Sequence, residues 1–478
     1  MKFICIITLL SFSSGATIAS AQITNFKHVV VIVQENRTPD NLFQGLCSPP
    51  FGFRGLPGLP GSCSITPSSS QYNIQTKDWK DGGWPGTIQP NPVSLTAPYD
   101  LDHTHAAFLA MCDRNPVTNV CQMDGAAGIR CAGSCPPKPQ FAYVTNTAGV
   151  LNPYLELATQ YGWANYMFQT NQGPSYPAHL YLFGGTSAPS AFDDKSGIFA
   201  AENPSGGFTP AGCASPPQTT VALIDRSGQE NQQVYPCFEH KTLADVLPKS
   251  VSWKYYAPGA NTIWTAPNSI EHICGSTGKG GHCGGSAWMD HLDLNPSDVL
   301  KDIDGCQLSS LSWVVPSGQN SDHAEHNDGG GPSWVAAIVN ALGNSKSCDE
   351  GTGYWKDTAI IITWDDWGGW YDHEPPVLST HSEYEHGFRV PLIVVSAYTT
   401  AGYVNNSQQD FGSILRFIEH NFGVEEGSLQ FADARAQSDL GLFFNLRAAP
   451  RSYTNISAQK SAAFFLNDSR AMADPDDQ

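Results

Sequence analysis

The chain has 478 residues, 41% hydrophobic and 11% aromatic, which excludes wholesale disorder and leaves ample chain for a buried core. Only 14% of residues are charged, and 25 Lys+Arg against 44 Asp+Glu give a net charge of −19. That balance argues against a nucleic-acid footprint and supplies no polybasic anchor for an anionic membrane.

In chain order, residues 1–21 read as a secretory signal peptide. Lys2 forms the positive region, residues 3–10 (FICIITLL) are apolar but too short to span a bilayer, and Ala19-Ser20-Ala21 is a cleavage signal. No later segment is apolar for the length of a membrane helix, so an exported product, periplasmic or secreted, with no stable membrane anchor is expected. Of 13 cysteines, Cys5 leaves with the leader. The even remainder implies disulfides, and neighbours in sequence suggest Cys47–Cys63, Cys112–Cys121, Cys131–Cys135, Cys213–Cys237, Cys274–Cys283 and Cys306–Cys348. A zinc site at Cys274, His282 and Cys283 is the competing reading.

Residues 28–33 (HVVVIV) form a continuous β-branched run, as expected of a strand buried on both faces. A Pro/Gly/Ser-rich stretch covers 47–100, and helical patterning follows at 152–161. Residues 185–235 and 257–308 are again loop-rich, interrupted by a helix at 242–247 and a strand at 251–256. A strand at 311–315, a helix at 334–342, strands at 358–363 (TAIIIT) and 390–396, and an amphipathic helix at 409–421 complete the pattern. Alternation of strands and helices predicts an α/β fold with a largely parallel central sheet flanked by helices. The loop-rich regions read as decorations on a single domain, residues 22–470, followed by a frayed acidic tail at 471–478.

Chemistry is expected where buried strands end. After 28–33 come Glu35 and Asn36; Asp40, in the same loop, reads as a helix cap. After 358–363 come Asp365 and Asp366, followed by Gly368-Gly369. Adjacent carboxylates at a buried strand end repel unless a cation lies between them, so these loops are expected to bind a divalent ion. Mg²⁺, Ca²⁺ and Mn²⁺ fit the oxygen ligands, and histidine could bring Zn²⁺. Histidines cluster at His103 and His105 and again at His323. Ser175, in the rigid turn Gly173-Pro174-Ser175-Tyr176-Pro177, is the best nucleophile.

These segments together resemble the bacterial phospholipase C/acid phosphatase family. Glu35-Asn36-Arg37-Thr38-Pro39-Asp40 is similar to its ENRSFD motif, residues 173–179 (GPSYPAH) to its (S/T)xPNR motif, residues 365–373 (DDWGGWYDH) to DExGGxYDH, and residues 387–391 (GFRVP) to GxRVP. Met123-Asp124-Gly125 resembles the family's MDGF. The order and spacing hold over residues 26–425. The resemblance implies an alkaline-phosphatase-like fold and phosphoric ester hydrolysis through a phosphoserine. It implies metal binding by Glu35, Asn36, Ser175, Asp365 and Asp366, with Ser175 as nucleophile. It also implies phosphate-side histidines at His103 (with His105 an alternative), His323 and, by a weaker alignment, His272. The stretch from His323 into residues 331–343 looks closer to the acid phosphatase branch, and a bacterial source is implied.

Two positions depart from the motifs: Pro39 replaces Phe, and Ala178-His179 replaces Asn-Arg. His179 can give a phosphate at most one hydrogen bond, where Arg gives two. The expected substrate is a small phosphate ester. Two alternatives stand beside it: a phospholipase C cleaving lipid phosphodiesters, with Trp364, Trp367, Trp370 and Tyr371 holding lipid, and a secreted binding protein whose catalytic set has decayed.

Overall fold

A computed structural model describes residues 26–52, 62–82, 86–205, 211–348, 351, 353–379 and 381–472. The predicted leader and residues 473–478 of the tail lie outside this set.

The core is one eight-stranded sheet. Its strands are β1 (His28–Gln34), β2 (Gly162–Phe168), β3 (Trp253–Tyr256), β4 (Leu292–Asp293), β5 (Leu311–Val314), β6 (Thr358–Trp364), β7 (Leu392–Ser396) and β8 (Tyr403–Asp410), in the order β4-β3-β5-β1-β6-β7-β2-β8. β1 lies at the centre, parallel to β5 and β6, with Val31 opposite Trp313 on one side and Ile361 on the other. Every residue of β6 and all but the first of β1 are buried, which is why these strands are uniformly apolar rather than alternating. The sheet is parallel except at β7, which runs antiparallel to both β6 and β2.

Helices α1 (Pro39–Leu42), α2 (His105–Cys112), α3 (Asn152–Gln160), α4 (Ser175–Gly184), α5 (Gly331–Asn344) and α6 (Phe411–Asn421) matter most for the site. α3 packs on α5 and α4 on α6. Pro39 occupies the first turn of α1, where a missing N–H costs nothing, and Thr38 caps that helix by accepting from the Asn41 amide. Asp40 is therefore not the cap expected from sequence. It accepts from the Gln75 amide and from both the amide and Nδ1 of His373.

The expected strands and the helices at 152–161, 242–247, 334–342 and 409–421 are present within a few residues of their predicted bounds. Three strands had no clear signal. β4 spans two residues, β2 (GWANYMF) carries Gly and Asn, and β8 (YVNNSQQD) is a polar edge strand with a register shift between Asn405 and Gln408. Their strand identity comes from neighbours that supply ladder partners, not from propensity.

All six expected disulfides are formed. The Cys274–Cys283 bond removes both sulfurs from the alternative zinc site. Among the described residues no helix is long and apolar enough to cross a membrane.

Candidate functional site

The site is built at the carboxyl ends of two adjacent strands, β1 and β6. Their loops are tied to one another: the Asp365 amide donates to the Gln34 carbonyl, the Arg37 amide to the Asp366 carbonyl, and the Asn36 amide to Asp365 Oδ1 at 3.0 Å. This pairing turns the chain sharply, and Asn36 sits at φ 62°, a left-handed conformation that Asn tolerates better than most residues. Gly368 explains the close approach from the other side. Its φ is +61°, and a Cβ there would stand 2.4 Å from the Asn36 carbonyl oxygen.

Ser175 is the first residue of α4. Its Oγ donates to Asp366 Oδ2 at 3.2 Å, and its side chain is fully buried. The turn before it is held by Gln169 Nε2 and Asn171 Nδ2, both donating to the Gly173 carbonyl. Pro174, at the N-cap, has no side-chain oxygen with which to cap the helix. Asn203 supplies the cap from another segment: its Oδ1 accepts the Tyr176 amide at 3.0 Å. The neighbouring Glu202 accepts the His105 amide at 3.0 Å, in the first turn of α2. One dipeptide thus braces the helix that begins with Ser175 and the helix that begins two residues after His103.

Glu35, Asp365 and Asp366 are wholly buried. One ligand atom from each of Glu35, His179 and Asp365 lies within 4.8 Å of the others. His179 Nε2 is 3.2 Å from Glu35 Oε1 and 3.8 Å from Asp365 Oδ2. Burial pushes the His179 imidazole down to about 4, against the pull of Asp365, so near neutral pH it carries no charge to offset the carboxylates. Asn36 Oδ1 and Asp365 Oδ2 are buried without a hydrogen-bond partner among the described residues. Buried carboxylate and amide oxygens left without partners fit a divalent cation.

His103 Nδ1 donates to the Leu101 carbonyl at 2.7 Å, which leaves Nε2 as the acceptor for Asn36 Nδ2 at 3.3 Å; Asp366 Oδ2 lies 3.9 Å from that same nitrogen. His323 Nδ1 donates to the Ala324 carbonyl at 2.6 Å, and its ring lies 6.2 Å from that of His103. The ring of Trp264 lies beside both His179 and His323.

The structure therefore gathers Glu35, Asn36, Ser175, Asp365, Asp366, His103, His179 and His323 into one centre. Two expected histidines stand outside it. His105 turns its Nδ1 to Glu230 Oε1 at 2.6 Å and packs against Phe108 and Tyr384. His272 is partly exposed and bridges Glu239 and Asp245 through its two nitrogens, which raises it to about 9, with the Asp245 bond the leading cause. The short motif around His272 carried no information about which side of the fold it would occupy.

The residues missed from sequence are mostly supports. Arg37 is fully buried and donates to the carbonyls of Asp322 and Leu95 and to Asn41 Oδ1. Asp322 in turn accepts from the Tyr154 hydroxyl and Trp364 Nε1. Arg389 grips Asp372 with two donors and also reaches the Asn73 and Asn165 carbonyls. The Arg389–Asp372 pair locks the group Asp40, Asp372 and His373, which could by spacing alone hold a second ion, as a salt-bridged brace. Arg37, Asp322, Asp372 and Arg389 all lie in the quoted motifs or beside them; Asn203, Glu202 and Trp264 fall in loop-rich stretches without any signal. Burial and the Glu230 charge lift Glu202 to about 8.

Residues 26–425 match the Phosphoesterase family over nearly all of the described chain. The chain belongs to the phosphoesterase family. Among its relatives, hemolytic phospholipase C of Pseudomonas aeruginosa is 23% identical over 90% of this chain. Phospholipase C A of Mycobacterium tuberculosis is 24% identical over 92%. This phosphoesterase spans 57% of the length of the former and 81% of the latter. A solved protein of the alkaline phosphatase superfamily from Vibrio parahaemolyticus covers 57% of the chain at 12% identity, with a TM-score of 0.30.

Proposed function

We propose that this phosphoesterase is an exported, metal-dependent hydrolase of small phosphate esters, a single catalytic domain over residues 22–470 that works through a phosphoserine on Ser175. The observation that carries this reading is the Ser175 hydroxyl, buried at the start of α4 and bonded to Asp366 beside Asp365, Glu35 and Asn36.

Glu35, Asn36, Asp365, Asp366 and Ser175 would hold the divalent ion, which when bound neutralises phosphoryl charge and lowers the pKa of the serine. Asp366 Oδ2 takes the hydroxyl proton of Ser175 as Oγ attacks phosphorus in line. The new Oγ–P bond forms while the bond to the leaving oxygen breaks, and His103 or His323, entering as imidazolium with a proton on Nε2 as well as Nδ1, gives that oxygen the Nε2 proton. The amino end of α4 adds partial positive charge behind Oγ. Water then attacks the phosphoserine, its proton passes to the imidazole that gave one up, and phosphate leaves as Oγ regains its own. Positioning and electrostatics supply most of the acceleration in such transfers.

Cleavage of lipid phosphodiesters is the second reading, favoured by the phospholipases C among the relatives. The aromatic residues once available to it are otherwise engaged: Trp364, Trp367, Trp370 and Tyr371 are all fully buried in loop and core packing. The binding-protein reading rests on Ala178-His179 in place of Asn-Arg; the placement of His179 Nε2 3.2 Å from Glu35 Oε1 supports the hydrolase reading instead.

The deciding experiment is hydrolysis of p-nitrophenyl phosphate and p-nitrophenylphosphorylcholine, from about pH 4 to 9 to cover histidine titration, with and without chelator, beside Ser175→Ala. Monoester turnover lost in S175A and on chelation supports the proposal. Preference for the choline diester moves the substrate to the lipid class, and full activity in S175A overturns the nucleophile.

A further inference from the structure

The position where the resembled motif carries Arg is His179 here, and its surroundings are those of a ligand. Ser175 and His179 are four residues apart on α4, so both side chains leave one face of the helix, Ser175 toward Asp366 and His179 toward Glu35 and Asp365. Two donors about 2.0–2.1 Å from one tetrahedral ion stand about 3.3 Å apart; His179 Nε2 is 3.2 Å from Glu35 Oε1. The ring is held face-on by Trp264, with centroids 6.3 Å apart and planes 28° from parallel. Nδ1 is buried and has no hydrogen-bond partner among the described residues, so it can keep the ring proton while Nε2 offers its lone pair. An arginine could do none of this, since guanidinium stays protonated and has no acceptor.

We propose that His179 Nε2 is a metal ligand beside Glu35 and Asp365, and that this nitrogen turns the centre toward an ion such as Zn²⁺ or Co²⁺ and away from Mg²⁺ and Ca²⁺. Imidazole suits the former pair, whereas a wholly oxygen set suits the latter. The proposal rests on the metal-dependent reading above. The rival role for His179 is purely structural: Nε2–H donating to Glu35.

The test is direct binding by the full chain, stripped with chelator and titrated separately with Zn²⁺, Co²⁺, Mg²⁺ and Ca²⁺ by calorimetry, with the visible spectrum of the Co²⁺ form as a second readout. His179→Gln retains an N–H donor for Glu35 at similar reach. Loss of a metal ligand in H179Q should weaken Zn²⁺ and Co²⁺ binding at least about 100-fold, beyond the usual cost of an outer-sphere change. The Co²⁺ ligand-field bands should shift, and Mg²⁺ and Ca²⁺ binding should change much less. H179Q with the parent's Co²⁺ spectrum and Zn²⁺ affinity overturns the proposal; where H179Q does not fold, His179→Asn is read the same way. Asp365→Asn separates the two levels. If D365N binds the ions like the parent, the metal centre itself is misplaced; if D365N loses them while H179Q does not, only the ligand role of His179 fails.

Discussion

Ser175, the proposed nucleophile, is a buried hydroxyl held against the Asp366 carboxylate. Replacing it with Ala deletes one oxygen and one hydrogen bond, so S175A should lose essentially all turnover while its thermal midpoint stays near the parent's; monoester hydrolysis and a melting curve check both. Arg389 is the opposite case, remote from the reacting atoms but buried with four donated bonds. Arg389→Leu leaves Asp372 charged and unpaired in the interior and should cost about 3–5 kcal/mol, measured by urea unfolding. His272 titrates where the enzyme can be assayed. Its folded-state value of about 9 exceeds the ordinary 6.5, so its pairing with Asp245 and Glu239 stabilises fully below about pH 6.5 and is lost as pH rises through 9. After discounting for solvent, since the group is more than a third exposed, about 1 kcal/mol is at stake. His272→Gln should flatten that part of the stability profile and leave turnover unchanged.

At the scale of elements, the site depends on how helix ends are finished. α4 starts after a proline that cannot cap it, and Asn203 does so across 27 residues of sequence. Asn203→Ala should cost about 1 kcal/mol of stability, as caps do, and should also lower kcat by loosening the turn that presents Ser175. Asn203→Asp, which keeps an acceptor oxygen there, should restore both; unfolding curves and kcat at saturating substrate are the readouts. The loop after β6 works by a different device. A Cβ at Gly368 would collide with the Asn36 carbonyl, so the loops after β1 and β6 approach this closely only through a glycine.

Across the whole molecule, long loops surround one sheet and are tied down by disulfides. Cys306–Cys348 has the largest sequence separation of the six, 42 residues, and encloses β5 and α5, joining the end of one helix to the segment before β6. Chain-entropy arguments give such a link about 4 kcal/mol at most. The double change Cys306→Ala and Cys348→Ala should lower unfolding stability by roughly 2–4 kcal/mol without touching the chemistry, which denaturant curves beside an activity assay would show.

By itself the sequence determined the central strands, because HVVVIV and TAIIIT can be satisfied only in a doubly covered sheet. It also determined which loops follow them, hence Glu35, Asn36, Asp365 and Asp366; it only suggested the cysteine pairs, which folding brought together. Tertiary structure decided the rest. β2 and β8 are strands because β7 and one another offer ladder partners to otherwise indifferent sequences. Ser175 became distinguishable from an ordinary turn serine only when folding brought it to Asp366, 191 residues away. Histidines that look alike in the chain were sorted by where folding placed them: His103 and His179 against the carboxylates, His323 beside the His103 ring, His105 onto Glu230, His272 at the surface. Periodicity and local chemistry are properties of neighbours in sequence, whereas burial, charge pairing and ligation are set by neighbours in space.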